Sequence, residues 1–292
     1  MKTTLEIINT AFTDLKPTVS FSGGSDSMVL LNIVCEAGYK PPLIYADSQM
    51  EYDNNLEFIK KIATQYGLEL HVARAPITPQ EQWQKTGYPM LGKMAARLWM
   101  QKHRKEKSLG FKIDVSSCCR KMKIQPARRK VIEIGCNASL TGQKGNHDDR
   151  LRGLRAIKDG AVKYLKQDKI TQVNPLTHWT ESMIRRYTRN HNLPINPNKA
   201  DGAITIGCMY CGGGAQFDNS GFRVLRKTRP KEWRKMIGEY GFGEIILAIK
   251  YNQPLTIIRE AISSLGGIEV LMDRKPYIFD FLRETPLPGY SR

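Results

Sequence analysis

The sequence predicts an α/β protein with a mainly parallel sheet and a small helical appendage at its C-terminal end. Short apolar strands alternate with amphipathic helices through the first half of the chain, a pattern typical of parallel sheets covered by helices. The 292 residues suffice for one large domain with an appendage. From about residue 226 the alternation gives way to helical patterns alone. We therefore expect one α/β domain over 1–225 and a helical extension with a tail over 226–292.

The elements of the first half follow from apolar periodicity and from residues that favour turns. Gly38 and the pair Pro41-Pro42 separate the first buried helix from the strand after it. In chain order, we expect a helix over 3–14, a strand from Val19, a helix over Met28–Val34, a strand over Leu43–Asp47, a helix over Glu51–Tyr66 and a strand over Leu68–Arg74.

The elements of the second half are marked by caps and turns. Gly135 ends a helix, Asp159-Gly160 is a two-residue hairpin turn, and Thr180 is a helix N-cap. In chain order, we expect a helix over 126–134, a strand over Ser139–Thr141, a hairpin over Leu154–Leu165, a helix over Glu181–His191, helices over Pro230–Lys250 and Leu255–Leu265, and an extended tail over Pro276–Arg292.

A loop of small residues joins the first strand to its helix. Two adjacent glycines allow a sharp turn in which several backbone N–H groups point into one concavity. The positive end of the next helix favours an anion there, and we expect Ser25 or Asp26 to cap that helix. A Walker A loop would require a lysine here, and a plain turn between core elements is the alternative. The predicted phosphate-binding residues are Ser22, Gly23, Gly24, Ser25, Asp26 and Ser27.

Charge and composition limit the class of partner. Hydrophobic content of 41% and charged content of 25% are those of a soluble globular protein. The absence of a membrane-length apolar run and of a signal-peptide core leads us to expect a cytoplasmic protein. A formal net charge of +17 indicates a polyanionic partner, with nucleic acid as the first candidate. Basic residues and aromatics interleave over 83–112, either to follow a phosphate backbone or as a solvated helix face.

The cysteines form two tight pairs. Cys118 and Cys119 are adjacent, whereas Cys208 and Cys211 have C-x-x-C spacing. In a cytoplasmic chain such pairs indicate metal or redox chemistry rather than structural disulfides. An adjacent pair with a C-x-x-C pair fits a 4Fe-4S cluster better than zinc, which usually takes two C-x-x-C pairs, and zinc remains the alternative. The two other cysteines, Cys35 and Cys136, are interpreted as small core residues.

Several segments resemble one known family. The loop from Ser22 to Ser27 resembles the Ser-Gly-Gly-x-Asp-Ser signature of the PP-loop superfamily, whose fold is adenine nucleotide alpha-hydrolase-like. Cys118-Cys119-Arg-Lys-Met-Lys123-Ile-Gln-Pro126 resembles the Cys-Cys-x-x-x-Lys-x-x-Pro segment of the phosphoadenylyl-sulfate (PAPS) reductase family. The Gly-x-Arg segment of the family is similar to Thr141-Gly-Gln-Lys144, with lysine in place of arginine. Its Pro-x-x-x-Trp-Thr segment is similar to Asn174-Pro-Leu-Thr-His-Trp179-Thr. The similar segments run from residue 18 to about 215 in the order of the family.

The resemblance implies a nucleotide site and a cluster site. ATP, adenylyl sulfate (APS) or PAPS would bind at the loop, with Asp47 and Gly142 at neighbouring strand ends. Asp26 would help to hold Mg²⁺, while Lys123, Lys144 and Arg150 would neutralise phosphate or sulfate charge. Because the gap between the cysteine pairs is similar to that of the iron–sulfur APS reductases, the implied cluster ligands are Cys118, Cys119, Cys208 and Cys211.

One departure from the family separates the possible functions. The reductases attack sulfate sulfur with a cysteine in a C-terminal Glu-Cys-Gly-x-His segment, and no cysteine follows Cys211 here. The remaining pattern also resembles the iron–sulfur ATP pyrophosphatases of DNA phosphorothioation, and the segment from Tyr45 to Tyr52 favours the same group. The first hypothesis is such an adenylating enzyme in nucleic-acid or sulfur-transfer modification, working with nucleic acid and possible protein partners. The alternatives are a reductase that borrows its thiol, and a catalytically silent nucleotide-binding regulator.

Overall fold

The architecture was obtained as a computed structural model that describes residues 3–103, 109–145, 157–200, 206–213, 215 and 221–274. In chain order, the first elements are α1 (Thr4–Asp14), β1 (Pro17–Ser20), α2 (Ser25–Glu36), β2 (Leu43–Asp47), α3 (Asn55–Tyr66), β3 (Leu70–Arg74), α4 (Pro79–Thr86), α5 (Lys93–Lys102), α6 (Val115–Cys119), a π-helical turn (Arg120–Ile124) and α7 (Gln125–Glu133).

The later elements complete the sheet and add helices. They are β4 (Ala138–Leu140), β5 (Val162–Leu165), β6 (Ile170–Val173), α8 (Glu181–Asn190), α9 (Pro197–Ala200), α10 (Gly221–Thr228), α11 (Pro230–Ile237), α12 (Phe242–Tyr251), α13 (Leu255–Ser264) and α14 (Ile268–Arg274). The predicted α/β class with helices at the C-terminal end is thereby confirmed.

Two compact units interleave along the chain. The first comprises Met1–Ser48, Tyr52–Ala75 and Met122–Ala200, and the second comprises Gln49–Glu51, Pro76–Lys121 and Asp201–Arg292. The described strands all belong to the first unit, and α10–α14 belong to the second. The predicted domain boundary at residue 225 stays a prediction.

The sheet of the first unit has six described strands in the order β3-β2-β1-β4-β6-β5. Strand β1 pairs in parallel with β2 on one side and with β4 on the other, and only β5 runs antiparallel. The chain therefore moves outward in one direction from β1 to β3 and then returns to the opposite side of β1. In open α/β sheets, ligands bind at the carboxyl ends of the strands where this reversal occurs. That position lies between β1 and β4.

Helix α2 and the central strands form the core of the first unit. Met28, Val29, Leu30 and Leu31 are at most 2% exposed, as expected for a helix too apolar to lie on the surface. They pack in one cluster with Val19 of β1 and other residues of the sheet. Burying one such side chain contributes about 1.5–3 kcal/mol. The core therefore fixes the N-terminal end of α2 relative to the carboxyl end of β1.

The predictions of the hairpin turn and of one C-terminal helix are wrong. The hairpin turn is not Asp159-Gly160, because β5 pairs with β6 through a turn over 166–169. Asp159 instead belongs to a helical turn and accepts a bond from Lys163 at 2.7 Å, while 151–156 lie outside the described residues. The predicted helix over Pro230–Lys250 is two helices, since Gly241 adopts a φ of +73° and the chain turns there. Thr180 is confirmed as the N-cap of α8.

Candidate functional site: a nucleotide loop and a cysteine centre

The predicted phosphate loop lies between β1 and α2, at the sheet reversal. The N-cap of α2 is Gly24, and no side chain caps this helix, so the prediction that Ser25 or Asp26 would do so is wrong. Both residues belong to the first turn. Glycine at the cap leaves the first N–H groups of a 12-residue helix without a competing side-chain acceptor. Uncapped amides at a helix N-terminus are the arrangement that binds an anion.

Serine side chains hold the loop in its shape. The Ser27 hydroxyl donates to the carbonyl of Gly24 at 2.8 Å, and its oxygen lies 3.2 Å from that of Ser22. Ser22 in turn accepts a bond from the N–H of Gly24 at 3.4 Å. Because these bonds are internal, the loop is organised before any ligand binds.

A buried amide network requires glycine at position 23. A Cβ atom there would lie 3.0 Å from the Asn196 side-chain nitrogen and 3.2 Å from the Asn55 side-chain oxygen. Gly23 also has a φ of +77°, which favours glycine. Asn196 donates to Asn55 at 2.8 Å, and Asn55 donates to the Tyr45 hydroxyl at 3.1 Å. All three side chains are at most 2% exposed, so the loop rests on a rigid polar support.

Lys144 brings a cation to the loop from the segment after β4. Its ammonium donates to Asp26 at 2.8 Å and to Glu181, in the first turn of α8, at 2.6 Å. The lysine is 4% exposed, whereas the two carboxylates are more accessible, at 34% and 40%. One buried cation is therefore shared by two acidic groups at the end of the sheet where the phosphate loop lies.

Ionisation at this cluster follows from the same contacts. Burial lowers the pKa of Lys144, but the bonds to Asp26 and Glu181 outweigh it, so the net pKa lies above 10.5. The bond from Lys144 is the largest cause that lowers the pKa of Glu181 below 4.5, and burial opposes it. The lysine is therefore charged and Glu181 ionised throughout the neutral range.

Lys199 is a second cation at the loop and was not among the predicted residues. Its ammonium donates to the Ser25 hydroxyl at 3.0 Å. The lysine lies on α9, which packs against α3 and follows the buried Asn196. Asn198 of the same segment is 3% exposed and donates to the Asp53 carbonyl at 2.9 Å. The signal in the sequence was Asn196-Pro-Asn-Lys199, in which buried amides place a lysine.

The other predicted nucleotide residues differ in their placement. A Cβ atom on Gly142 would lie 2.9 Å from the backbone carbon of Asp26, so this glycine allows the segment after β4 to approach α2 closely. Asp47 ends β2 as predicted, but its carboxylate, 10% exposed, is paired with Arg74. Arg150 lies outside the described residues. The roles of Asp47 and Arg150 in nucleotide binding stay predictions.

The four paired cysteines all belong to the second unit. Cys118 and Cys119 end α6, while Cys208 and Cys211 lie in a loop whose backbone is anchored on both sides. The N–H of Met209 donates to the Met50 carbonyl at 2.7 Å, and that of Leu91 to the Gly212 carbonyl at 2.9 Å. Next in the chain, a Cβ atom on Gly213 would lie 2.8 Å from the Val115 side chain of α6. This close approach brings the C-x-x-C loop to the helix that carries the adjacent pair.

The thiols affect one another electrostatically. Burial raises the pKa of Cys118 to about 12, with further increases from Cys208 and Cys119. Burial also raises the pKa of Cys211, again with contributions from Cys208 and Cys119. None of the four cysteines forms a disulfide. Within the described residues, however, no three His, Cys, Asp or Glu side chains converge as ligands of one metal ion do. The use of these cysteines as cluster ligands stays a prediction.

A buried donor lies beside this centre. Trp83 of α4 is 2% exposed, and its indole Nε1–H has no hydrogen-bond acceptor. Helix α4 packs against α6, and the indole N–H acts on the Cys118 sulfur to lower its pKa against the larger effect of burial. Lys123, the predicted catalytic lysine near the cysteines, is half-buried in the π-helical turn after α6.

The two remaining cysteines pack as core residues, as predicted. Burial raises the pKa of Cys35 to about 11, and it also raises the pKa of Cys136. Each is half-buried against an apolar cluster of the first unit. A thiol with a raised pKa is mainly protonated at neutral pH and is a poor nucleophile.

Comparison with known proteins identifies the family. Residues 16–213, more than half of the chain, match the phosphoadenosine phosphosulfate reductase domain. The chain belongs to this family. The resemblance to this family that the sequence motifs indicated is thereby confirmed. The match ends before α10, so helices α10–α14 lie outside it.

Individual relatives are distant. An adenosine 5'-phosphosulfate reductase of Deinococcus radiodurans is 24% identical over 187 residues, 64% of this chain and 62% of the relative. A phosphoadenosine 5'-phosphosulfate reductase of Photobacterium profundum is 26% identical over 189 residues, 64% of each protein. The chain thus spans less than two thirds of the length of these relatives.

Among solved structures, the phosphoadenylyl-sulfate reductase from Candida auris in a phosphate complex is similar. It has a TM-score of 0.49 and 19% identity, covering 71% of this chain and 88% of that one. Within the described residues, no helix is long and apolar enough to cross a membrane.

Proposed function

We propose that this protein is an adenylating PP-loop enzyme that binds ATP at the loop from Ser22 to Ser27 and carries a 4Fe-4S cluster. The observation that carries the nucleotide part is the pair of lysines at the loop. Lys144 and Lys199 arrive from different segments and place their ammonium groups on Asp26 and Ser25, in the first turn of α2. Two cations beside an uncapped helix N-terminus match the charge of a polyphosphate.

Different groups of the chain would have different roles in the transfer of the adenylyl group. The amides of the first turn of α2 and the hydroxyls of the loop would hold the phosphate oxygens. Lys144 and Lys199 would neutralise charge that develops on the leaving group. An acceptor oxygen or sulfur attacks the α-phosphorus, the bond to the β-phosphate oxygen breaks, and pyrophosphate leaves. Asp26 would contribute to holding Mg²⁺, which supplies further charge neutralisation when bound.

The cluster part of the proposal rests on the donor set. The second unit contains all four paired cysteines, Cys118, Cys119, Cys208 and Cys211, and none of them forms a disulfide. Neighbouring thiols contribute to the raised pKa values of Cys118 and Cys211, after the larger effect of burial. Four thiolates are the usual ligands of a 4Fe-4S cluster. Such a cluster supplies electron transfer or an iron site for sulfur when bound. A cluster held by thiolates would require a reducing compartment, such as the predicted cytoplasm.

The reductase is the second candidate, because the relatives named above are reductases. A reductase needs a thiolate that attacks the sulfate sulfur and releases AMP or its 3′-phosphate. Cys35 and Cys136 are unsuited to this attack, since burial raises the pKa of each. The four paired cysteines are assigned to the cluster. A reductase would therefore depend on a thiol from elsewhere. The silent nucleotide-binding regulator is the third candidate and needs no turnover.

Product analysis separates these candidates. The anaerobically purified chain is incubated with Mg²⁺, mixed DNA and RNA oligonucleotides and either labelled ATP, APS or PAPS, with thioredoxin in the two sulfate arms. Of the three nucleotides, we expect only ATP to react. Its products should be pyrophosphate together with AMP or an adenylated acceptor. Gly24→Val should abolish this reaction, whereas the surface variant Lys163→Met should leave it unchanged. Sulfite from APS or PAPS with ATP left intact would establish the reductase instead. Tight nucleotide binding without any product would favour the regulator.

A further inference from the structure

One face of the sheet in the first unit is polar at three of its strands. Val19, Leu140 and Val173, from β1, β4 and β6, belong to the main apolar core. Because side chains alternate along a strand, the residues on either side of them face the other way. These are Thr18 and Ser20, Ser139 and Thr141, and Gln172 and Asn174. Parallel sheets are normally apolar on both faces, so this polar row is unusual.

The neighbouring strands are apolar on the same face. Ser20 is in register with Ile44 of β2, which packs with Ala73 of β3 and Val131 of α7 in a small apolar cluster. Beneath α7 the face is therefore of the usual kind. At β1 and β4, polar groups bond to one another instead, since the hydroxyl oxygens of Ser20 and Ser139 lie 2.8 Å apart.

Three carboxamides, Gln143, Gln172 and Asn174, extend the polar row at the carboxyl ends of β4 and β6, and we call them the amide cluster. The side-chain nitrogen of Gln172 donates to Asn174 at 3.0 Å and to Gln143 at 3.4 Å. Asn174 also accepts a bond from the Thr141 hydroxyl at 2.6 Å. Asn174 is 3% exposed, whereas both glutamines are half-buried. One buried amide therefore holds two more accessible ones in place.

The amide cluster has more hydrogen-bonding groups than its own contacts use. Each carboxamide carries two N–H donors and an oxygen that can accept two bonds, and three described bonds connect the cluster and Thr141. In the part of the chain that the structure describes, no polar atom of these three amides is buried without a partner. Their unused donors and acceptors therefore reach the surface.

The cluster lies beside the proposed nucleotide site of the same unit. Gln143 is flanked by Gly142, on which a Cβ atom would lie 2.9 Å from the backbone carbon of Asp26, and by Lys144, which donates to Asp26 at 2.8 Å. A molecule bound to the amides would therefore be close to the phosphates of a nucleotide at the loop. An acceptor of the adenylyl group has to bind in such a place.

We infer that the amide cluster binds the acceptor of the proposed reaction, and that this acceptor is a nucleobase with a ring carbonyl beside a ring N–H, as in uracil or hypoxanthine. The inference rests on the proposed function and names its substrate class. Carboxamides match such an edge because they present a donor and an acceptor side by side. The net charge of +17 favours a base carried by nucleic acid over a neutral amide. Since base pairing covers this edge, the base is single-stranded or flipped.

The reaction at this base is balanced without a further reagent. The carbonyl oxygen attacks the α-phosphorus of ATP, and the bond to the β-phosphate oxygen breaks. Pyrophosphate leaves with the electron pair of that bond, and the ring N–H releases its proton to water. Gln143 and Gln172 orient the base, so they determine which base is accepted.

The first experiment measures base preference by fluorescence anisotropy at low ionic strength, with hexamers of uridine, inosine, cytidine and adenosine. The four carry the same phosphate charge, so differences in affinity report on the base. Cytosine and adenine have an amino group beside a ring acceptor in place of the carbonyl and N–H. We expect the uridine and inosine hexamers to bind about tenfold more tightly, the equivalent of one neutral hydrogen bond. Equal binding of all four would overturn the inference.

Matched variants connect the preference to the cluster. Gln143→Leu and Gln172→Leu each remove one amide, and Gln65→Leu, at an exposed position of α3, is the control. We expect the two cluster variants to lose the preference while their affinity for the cytidine hexamer and their urea midpoints stay at wild-type values. Gln65→Leu should keep the preference. If the cluster variants lost affinity for all four hexamers equally, the amides would have only a structural role.

A second measurement needs no substitution. The wild type is irradiated with a 4-thiouridine hexamer, whose base keeps the ring N–H and has sulfur in place of the adjacent carbonyl oxygen. Mass spectrometry then identifies the crosslinked peptides, which should contain Gln143, Gln172 or Asn174. Crosslinks confined to α5 would contradict a base site at the cluster.

These outcomes are distinguishable from failure of the proposed function. Adenylation by a protein that binds the four hexamers equally would overturn the base site and leave the adenylating enzyme. A base preference that is lost in Gln172→Leu, in a protein that never consumes ATP, would support the base site and refute the adenylation.

Discussion

Lys144 pairs with two carboxylates at the proposed nucleotide site. Its ammonium is buried and bonded to two carboxylates that are partly exposed. In Lys144→Met, Asp26 and Glu181 lose their shared cation, and we expect about 2 kcal/mol less stability, between the values for exposed and buried pairs. Nucleotide affinity should fall about thirtyfold, the equivalent of one charged hydrogen bond. Urea unfolding and calorimetric titration with ATP measure the two effects.

The pH dependence gives a separate check on this cluster. Glu181 has a pKa held below 4.5, so its contribution to stability is present above that pH and is lost as the pH falls through the folded value. Lys144 has a raised pKa, so its contribution is complete below pH 10.5 and is lost as the pH rises through the folded value. In Lys144→Met, the part of the acid loss that is due to Glu181 should shrink. If the loss of unfolding free energy at acid pH were the same in Lys144→Met as in the wild type, the pairing of Lys144 with Glu181 would be contradicted.

Lys199 offers a prediction about binding with little change in stability. Its ammonium donates to the Ser25 hydroxyl, and its charge is the last of several that lower the pKa of Glu181. The buried Asn196 and Asn198 hold its helix independently. We therefore expect Lys199→Met to lower ATP affinity about tenfold while the urea midpoint stays within error. Lys163→Met, which removes an exposed lysine paired with Asp159, is the control. Equal ATP affinities in all three proteins would show that Lys199 does not contact the phosphates.

For individual residues of the candidate site, the sequence predicted the type of side chain better than it predicted the residues that this side chain contacts. Lys144 was predicted as a phosphate cation, but its bonds to Asp26 and Glu181 join positions 118 and 37 residues apart, which no local pattern reveals. Lys199 was missed because it lies 174 residues from the serine it contacts. The cap of α2 was assigned to Ser25 or Asp26 since both are good capping residues. Gly24, which precedes them, is the N-cap instead, so no side chain caps the first N–H groups of α2.

At the element scale, two glycines near the loop have different functions. A Cβ atom on Gly142 would lie 2.9 Å from backbone of Asp26, whereas one on Gly24 would meet only the Ser22 hydroxyl, at 3.5 Å. We expect Gly142→Ala to cost about 1–3 kcal/mol, because the segment after β4 must move away from α2. Gly24→Val should fold normally and lose ATP binding, since its side chain occupies the space for phosphate.

Unfolding and binding measured on the same preparations test this contrast. Urea midpoints should order the proteins as wild type, Gly24→Val and then Gly142→Ala, while titration with ATP should show the greatest loss in Gly24→Val. Full ATP affinity in a folded Gly24→Val protein would mean that the loop is only a turn. Wild-type stability in Gly142→Ala would mean that the close approach of α2 and the segment after β4 is not needed.

Elements were predicted well where one pattern governs them. The apolar run of α2 and the alternation around β1 and β2 follow from burial alone, and these elements form as expected. The hairpin was misplaced because Asp159-Gly160 is a strong local turn signal, whereas the actual strand partner of β5 lies after residue 166. The pairing of β5 with β6 therefore determined the position of the hairpin, and the local preference of Asp159-Gly160 for a turn did not. The interleaving of two units was not visible in the sequence, since each unit is assembled from distant segments.

At the scale of the whole molecule, the dominant property is a formal charge of +17. Two lysines at a nucleotide loop use only a small part of this excess. The predicted basic region is described for α5, where Lys93, Arg97 and Lys102 are exposed, while residues 104–108 lie outside the described part. Lys93 and Arg97 lie four residues apart on the exposed side of this helix, whereas the buried Ala95, Ala96 and Trp99 lie on the other side. A nucleic-acid backbone suits such a basic side.

The last prediction tests whether this charge serves nucleic acid. Binding of fluorescent DNA and RNA oligonucleotides should be measurable by anisotropy at low ionic strength and should weaken steeply with KCl, because bound cations are released. Lys93→Glu with Arg97→Glu should reduce the slope of log affinity against log salt by about 1.8, as expected for two lost phosphate contacts on duplex DNA. Lys60→Glu with Lys61→Glu, two exposed lysines of α3, makes the same change of charge elsewhere. If both double variants reduce the slope equally, the attraction comes from net charge and not from α5. If neither oligonucleotide binds at low salt, the excess charge has another purpose and nucleic acid is excluded as the acceptor.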